Sequence, residues 1–145
     1  MADVLHIDAS ELQRNLDRLP QLLMSALQDT MEDACVIVED EAAELSHPID
    51  TGLLKGSITH YVEEQSASVR GVVGTNVEYA PYVHEGTGIY AENGRRAVPW
   101  VYCDARGNFH TTSGMKPRPF LRKALDNNRD RIKNLFATIL EVIRL

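Results

Sequence analysis

The sequence predicts an α+β fold: a long N-terminal helix, a small antiparallel β-sheet of about four strands, and a long C-terminal helix packed on it. Three observations lead there. Apolar residues recur at spacings of three and four from Leu23 to Leu45 and again from Leu121 to Val142, the period of an amphipathic helix. Short β-rich runs broken by turn chemistry lie between them. Midway stands Tyr79 to Gly88, YAPYVHEGTG, in which two tyrosines, Pro81 and two glycines make a tight, partly buried corner between a β-like first part and a looser second. At 145 residues, 43% hydrophobic and 25% charged, the chain is one domain with a real core.

Taken in order, Asp8 or Ser10 caps a short helix or arm within residues 1–19, with Leu12, Leu16 and Leu19 on one face. Pro20 interrupts it and opens a longer helix over 20–47 whose stripe is Leu23, Leu27, Met31, Ala34, Val38, Ala42 and Leu45. The opposite face carries Glu32, Asp33, Glu39, Asp40, Glu41 and Glu44, a pattern that is most often solvated. His47-Pro48-Ile49-Asp50-Thr51-Gly52 then stops the helix, because the residue before proline avoids the α region and Asp-Thr-Gly is turn chemistry.

A sheet occupies 56–112. Ile58–Glu63 and Val69–Thr75 pair as a hairpin across a longer polar loop, with Gly71 and Gly74 weakening the second strand or marking bulges. After the corner, a mobile loop over 86–99 contains Asn93-Gly94-Arg95-Arg96. Val98–Cys103 and Asn108–Thr112 form a second hairpin closed by Asp104 to Gly107, with Trp100 and Tyr102 on one face. The C-terminal helix, 117–145, starts at Pro119 and carries Leu121, Leu125, Asn128, Ile132, Leu135, Ile139 and Val142 in strict alternation. It packs on the long N-terminal helix, and Asn128 interrupts the seam as a register-setting polar residue does.

Charge is unevenly placed within the net of -6. The first fifty residues hold twelve acids against Arg14 and Arg18, and the remainder holds thirteen bases against nine acids. Arg118, Arg122, Lys123, Arg129, Arg131 and Lys133 crowd the start of the last helix; they are either a solvated face or a docking surface for an acidic partner. Cys35 and Cys103 are too few for a disulfide framework and read as core thiols. No apolar run approaches the roughly 20 residues of a membrane span, and the opening residues lack the character of a secretory signal, so a cytosolic protein is expected.

Catalytic signatures fail one by one. His84-Glu85 has Gly88 where a second zinc-binding histidine belongs. Gly86 and Gly88 follow no dinucleotide or phosphate-loop pattern, and a single Asp50-Thr51-Gly52 triplet needs a second carboxylate to act as an aspartic protease. Ser57 with His60 and Cys103 with His110 are coincidences that five histidines readily supply. No catalytic, cofactor or metal site is expected; the rivals are a nucleic-acid-binding regulator using the basic helix and, further off, a small hydrolase.

The succession HPIDTGLLKGSI, VGTNVEYAPYVHEGTG and GMKPRPFLRKAL resembles the tail-component family of long-tailed bacteriophages, the head-tail joining or tail-completion proteins similar to the gene-ten product of phage HK-ninety-seven. The likeness runs over about residues 15–140, departing at His84 and in a lengthened segment from Ile89 to Ser113. It implies a non-enzymatic virion protein, one subunit of a ring around the DNA channel, with further copies and neighbouring neck, connector or tail proteins as partners. DNA would pass through without sequence-specific binding. The turn and corner residues expected to matter are Pro48, Asp50, Thr51, Gly52, Tyr79, Pro81, Tyr82, Gly86 and Gly88. Charge asymmetry nominates Glu39, Asp40 and Glu41 against Arg118, Arg122, Lys123 and Arg129 as an assembly contact.

Overall fold

The computed structural model describes residues 9–46, 52–91 and 97–142. Helix α1 spans Ser10–Ser46, followed by α2 (Leu53–Ser57), β1 (Thr59–Gln65), β2 (Ser68–Gly74), α3 (Ala80–Glu85), a 3-10 turn (Gly88–Tyr90), β3 (Trp100–Cys103), β4 (Phe109–Thr112) and α4 (Phe120–Val142). The class is α+β as expected. The four strands, however, form two separate two-stranded antiparallel sheets rather than one.

Pro20 does not divide the first helix, as the sequence suggested; it lies inside a continuous helix of 37 residues. A proline at that place removes one bond to the carbonyl of Leu16, and the remaining turns on either side carry the helix through. The C-terminal helix packs on α1 more than on a sheet. The two run antiparallel: Phe120 and Ala124 sit with Val38 and Ala42, Glu41 meets Asn127 and Asn128, and Phe136 lies near Met31.

The buried core gathers one or two residues from each α-helix, Val38 and Ala42 of α1, Leu54 of α2, Ala80 and Val83 of α3, and Phe120 and Ala124 of α4, together with Ile58 between α2 and β1. Helix α2 was not foreseen, because its five residues LLKGS are too few to show a period. It drops Leu54 into the centre of the core. Gly52 precedes it at φ +87, the left-handed conformation a tight reversal requires. Pro48, Asp50 and Thr51 lie outside the described residues.

Hairpin β1–β2 pairs without a bulge from Thr59↔Gly74 to Gln65↔Ser68. The polar run Glu63 to Ser68 therefore extends the strands, and the turn is only two residues long. Its charges tolerate strand geometry because that end of the hairpin is solvent-exposed. Gly71 is there for closeness: a Cβ would come within 2.4 Å of Cys35 Sγ and 2.8 Å of Met31 Sδ. β2 can thus lie directly against α1. Hairpin β3–β4 forms within the expected ranges but is shorter, pairing Trp100↔Thr112 to Cys103↔Phe109, with Gly107 left-handed at φ +87. Cys35 is buried, but Cys103 is exposed, against expectation, because β3–β4 stands out from the body with Val101, Tyr102 and Phe109 open to solvent.

Candidate functional site

Three features of the molecule could carry function: the Tyr79–Gly88 corner, the polar contacts of α1, and an apolar groove beside α4.

The corner is short and tightly held. Tyr79 caps α3, half-buried against the core, and Pro81 fills the first turn, where its missing N–H has no cost. Ala80 and Val83 point inward, whereas Tyr82 is exposed and does not anchor. Gly86 and Gly88 are both buried at positive φ, +78 and +66. A Cβ on Gly86 would meet the Met115 carbonyl at 2.8 Å, and one on Gly88 would meet the Ser113 carbonyl and the Trp100 ring, each at 2.4 Å.

Those approaches arise from a latch. The Thr87 N–H donates to the Met115 carbonyl at 2.8 Å, the Ile89 N–H to Ser113 at 3.0 Å, and the Arg118 N–H to Val83 at 2.9 Å. In return the Met115 N–H donates to Thr87 Oγ1 at 2.9 Å. Gly114, at φ +100 with its Cα side against the Thr87 carbonyl, completes it. Residues 86–91 of the expected mobile loop are therefore tied down; residues 92–96 lie outside the described ones. The sequence signal for the partner strip was the Ser113-Gly114 pair, which reads only as a turn without its neighbour in view.

The acidic face of α1 is only partly solvated. Gln28, Glu32, Cys35 and Glu39 recur at four, three and four residues and turn toward β1–β2. Gln28 donates to Glu64 at 2.7 Å, and Glu32 and Glu39 hold the two ring nitrogens of His60, Glu32 at 2.8 Å. These hydrogen bonds, Glu39 first and Glu32 second, raise the His60 pKa above its ordinary 6.5 despite partial desolvation. Burial, reinforced by the same two carboxylates, raises the Cys35 thiol. On the α4 side, Asn127 and Asn128 both donate to Glu41, and Asn128 also donates to the Ala124 carbonyl at 2.9 Å. The polar residue in the seam is thus buried and bonded across it to Glu41.

Of the nominated assembly residues, Glu39 and Glu41 are engaged within their own chain, and Asp40 is exposed. Glu44 binds Lys55 at 2.5 Å. Arg118 and Lys123 are exposed, Arg129 pairs with Asp126 at 2.9 Å, and Arg122 lines the groove. On β3–β4, Asp104 Oδ1 accepts from the Arg106 and Asn108 N–H groups at 2.8 and 2.9 Å, and Oδ2 from His110 at 2.9 Å. With the His110 bond as its largest cause, this lowers the Asp104 pKa to about 2. It is a turn built on an aspartate, and it accounts for His110 without Cys103. Likewise Ser57 hydrogen-bonds Thr75 at 2.6 Å and the Leu54 carbonyl, while His60 turns to α1. Neither nucleophile–base pair is assembled. Among the described residues no cluster of three or more His, Cys, Asp or Glu side chains is placed to hold a metal ion, and no helix is long and apolar enough to cross a membrane.

The groove, of about 490 Å³, opens between α1, β2 and α4 over Met31, Cys35, Val73, Leu121, Leu125 and Phe136. His84 closes one end and sets its ring edge-on to Phe120, centroids 5.4 Å apart. Its floor is apolar, and Arg122 of α4 stands at its edge.

A long amphipathic helix, a latched corner and an open apolar groove are thus the main features of the described residues. Over residues 10–86, more than half its length, the chain matches the protein family HK97-gp10-like, described as "Bacteriophage HK97-gp10, putative tail-component". The chain belongs to this family of phage tail components. No curated protein and no solved structure matches it significantly.

Proposed function

We propose that this chain is a head-tail joining or tail-completion subunit of a long-tailed phage or prophage, acting in the virion neck as one copy of a ring around the DNA channel. The observation that carries this beyond family membership is the first third of α1. Leu12 and Leu16 stand 61% and 52% exposed on one face, an apolar stripe that suits contact with another chain. Its partners are then further copies of itself and the neighbouring connector or tail proteins, with DNA passing through the opening unread. The reading needs no enzyme activity and no cofactor.

Silencing the gene in the phage that encodes it tests the assignment. The expected lysate contains DNA-filled heads and separate tails that fail to join, restored by supplying the chain in trans. Infectious particles at the normal yield without the chain would overturn it.

A further inference from the structure

We propose that the N-terminal arm of α1, residues 10–23, docks in the α1–β2–α4 groove of a second copy, so that copies join head to tail. The contact rests on the ring reading, since such a heterologous joint closes only when the rotation between copies permits.

The arm comes first. α1 has 37 residues and α4 has 23. At 1.5 Å per residue, about 20 Å of α1 therefore has no counterpart on α4. On that overhang Leu12, Leu16, Leu19 and Leu23 follow at four, three and four residues, a single stripe. The stripe is in phase with Ala34, Ile37 and Glu41, the side of α1 that α4 covers farther along. An apolar seam thus runs out from the body after its cover has ended.

The groove supplies the complement within the same sequence. Leu121 to Phe136 measure about 22 Å along α4, and Leu12 to Leu23 about 16 Å, so the stripe fits the length of the floor. Leu125 is 49% exposed at its edge. Arg122 lines it, and Arg129 and Lys133 follow at seven and eleven residues on the same side of α4. The arm itself carries Glu11 and Asp17 against Arg14 and Arg18, so the contact is apolar and the charges balance within the arm.

A chain cannot fill its own groove. The arm and the groove's Met31–Cys35 wall belong to one continuous helix, and folding the arm back would break it. A largely uncovered stripe and an open groove of comparable length, held apart in one molecule, are satisfied by repetition.

Two half-defective variants of the full chain test the joint. Leu12→Glu with Leu16→Glu spoils the arm and leaves the groove; Leu125→Glu with Arg122→Glu spoils the groove and leaves the arm. All four positions are exposed, and circular dichroism checks that both variants fold. In sedimentation velocity the wild type should associate with rising concentration, and each variant alone should be weakened at least about tenfold. Mixed, they should form a one-to-one dimer that grows no further, because only one intact arm and one intact groove can meet. An inert mixture would overturn the proposal. So would a groove variant that associates like the wild type, which means arm pairs with arm, or a wild type that stays monomeric to about 1 mM, which leaves the arm to another protein. An inert mixture from copies that nonetheless stand as a ring in particles would remove this joint and leave the ring reading intact.

Discussion

The two ends of α1 have the same helical period and opposite fates. From Met31 to Ser46 one side is buried in the core, a second is hydrogen-bonded to the β1–β2 hairpin, and a third meets α4 through Glu41. From Ser10 to Leu19 the same kind of stripe is largely exposed, Leu12 at 61% and Leu16 at 52%. The first end is held by what the chain itself provides. The second is left largely uncovered by the described residues. An amphipathic pattern thus identifies a face that will be covered, without saying by which molecule.

The sharpest way to break this contrast is to place the same charge at both ends. Ala42→Asp introduces a carboxylate where the side chain is wholly buried, and the expected loss is on the order of 4 kcal/mol or outright unfolding. Leu16→Asp should change monomer stability by no more than about 0.5 kcal/mol. Urea denaturation of both at low protein concentration decides it; equal losses would mean the arm is part of the core.

Next come the corner glycines. Gly88→Ala and Gly86→Ala should each cost on the order of 2 kcal/mol or more, since a positive φ and a carbonyl below 3 Å oppose the methyl group together. Thr87→Ala, which removes only the bond to the Met115 N–H, should cost about 1 kcal/mol. Thermal melts in that order would support the latch, and three equal, negligible shifts would show a loose loop.

A smaller effect should come from pH. Because the folded His60 pKa is raised above 6.5 by Glu39 and Glu32, its contribution is fully present below about pH 6.5 and is lost as pH rises through the folded value. His60→Gln should flatten that part of the stability curve. Asp104 works in the opposite sense: its contribution is present above pH 3.8 and lost as pH falls toward 2. The effect should be slight, because the turn is at the surface; Asp104→Asn should change hydrogen exchange in β3–β4 while leaving the α1 core unmoved.

How much of this was legible depended on whether the signal was periodic or spatial. The two long helices, their pairing and the place of Asn128 in the seam between them could be read because a period over many residues survives local accidents. Both hairpins could be placed, yet their division into two sheets could not, since no residue pattern states which strand edges meet. Pro20 misled because its local rule is strong and the turns around it are stronger. The acidic face misled similarly: Glu32 and Glu39 look solvated until His60 arrives from a strand more than twenty residues away. Gly86 and Gly88 were recognised as special, but the strip they contact, Ser113 to Met115, is joined to them only in space.

The most direct measurement of the central claim is electron cryomicroscopy of assembled particles. The account predicts a closed ring of this chain where head meets tail, with residues 10–23 of each copy lying as a helix along the α4 side of the next. Density for a single copy, or copies whose arms point away from their neighbours into solvent, would contradict it.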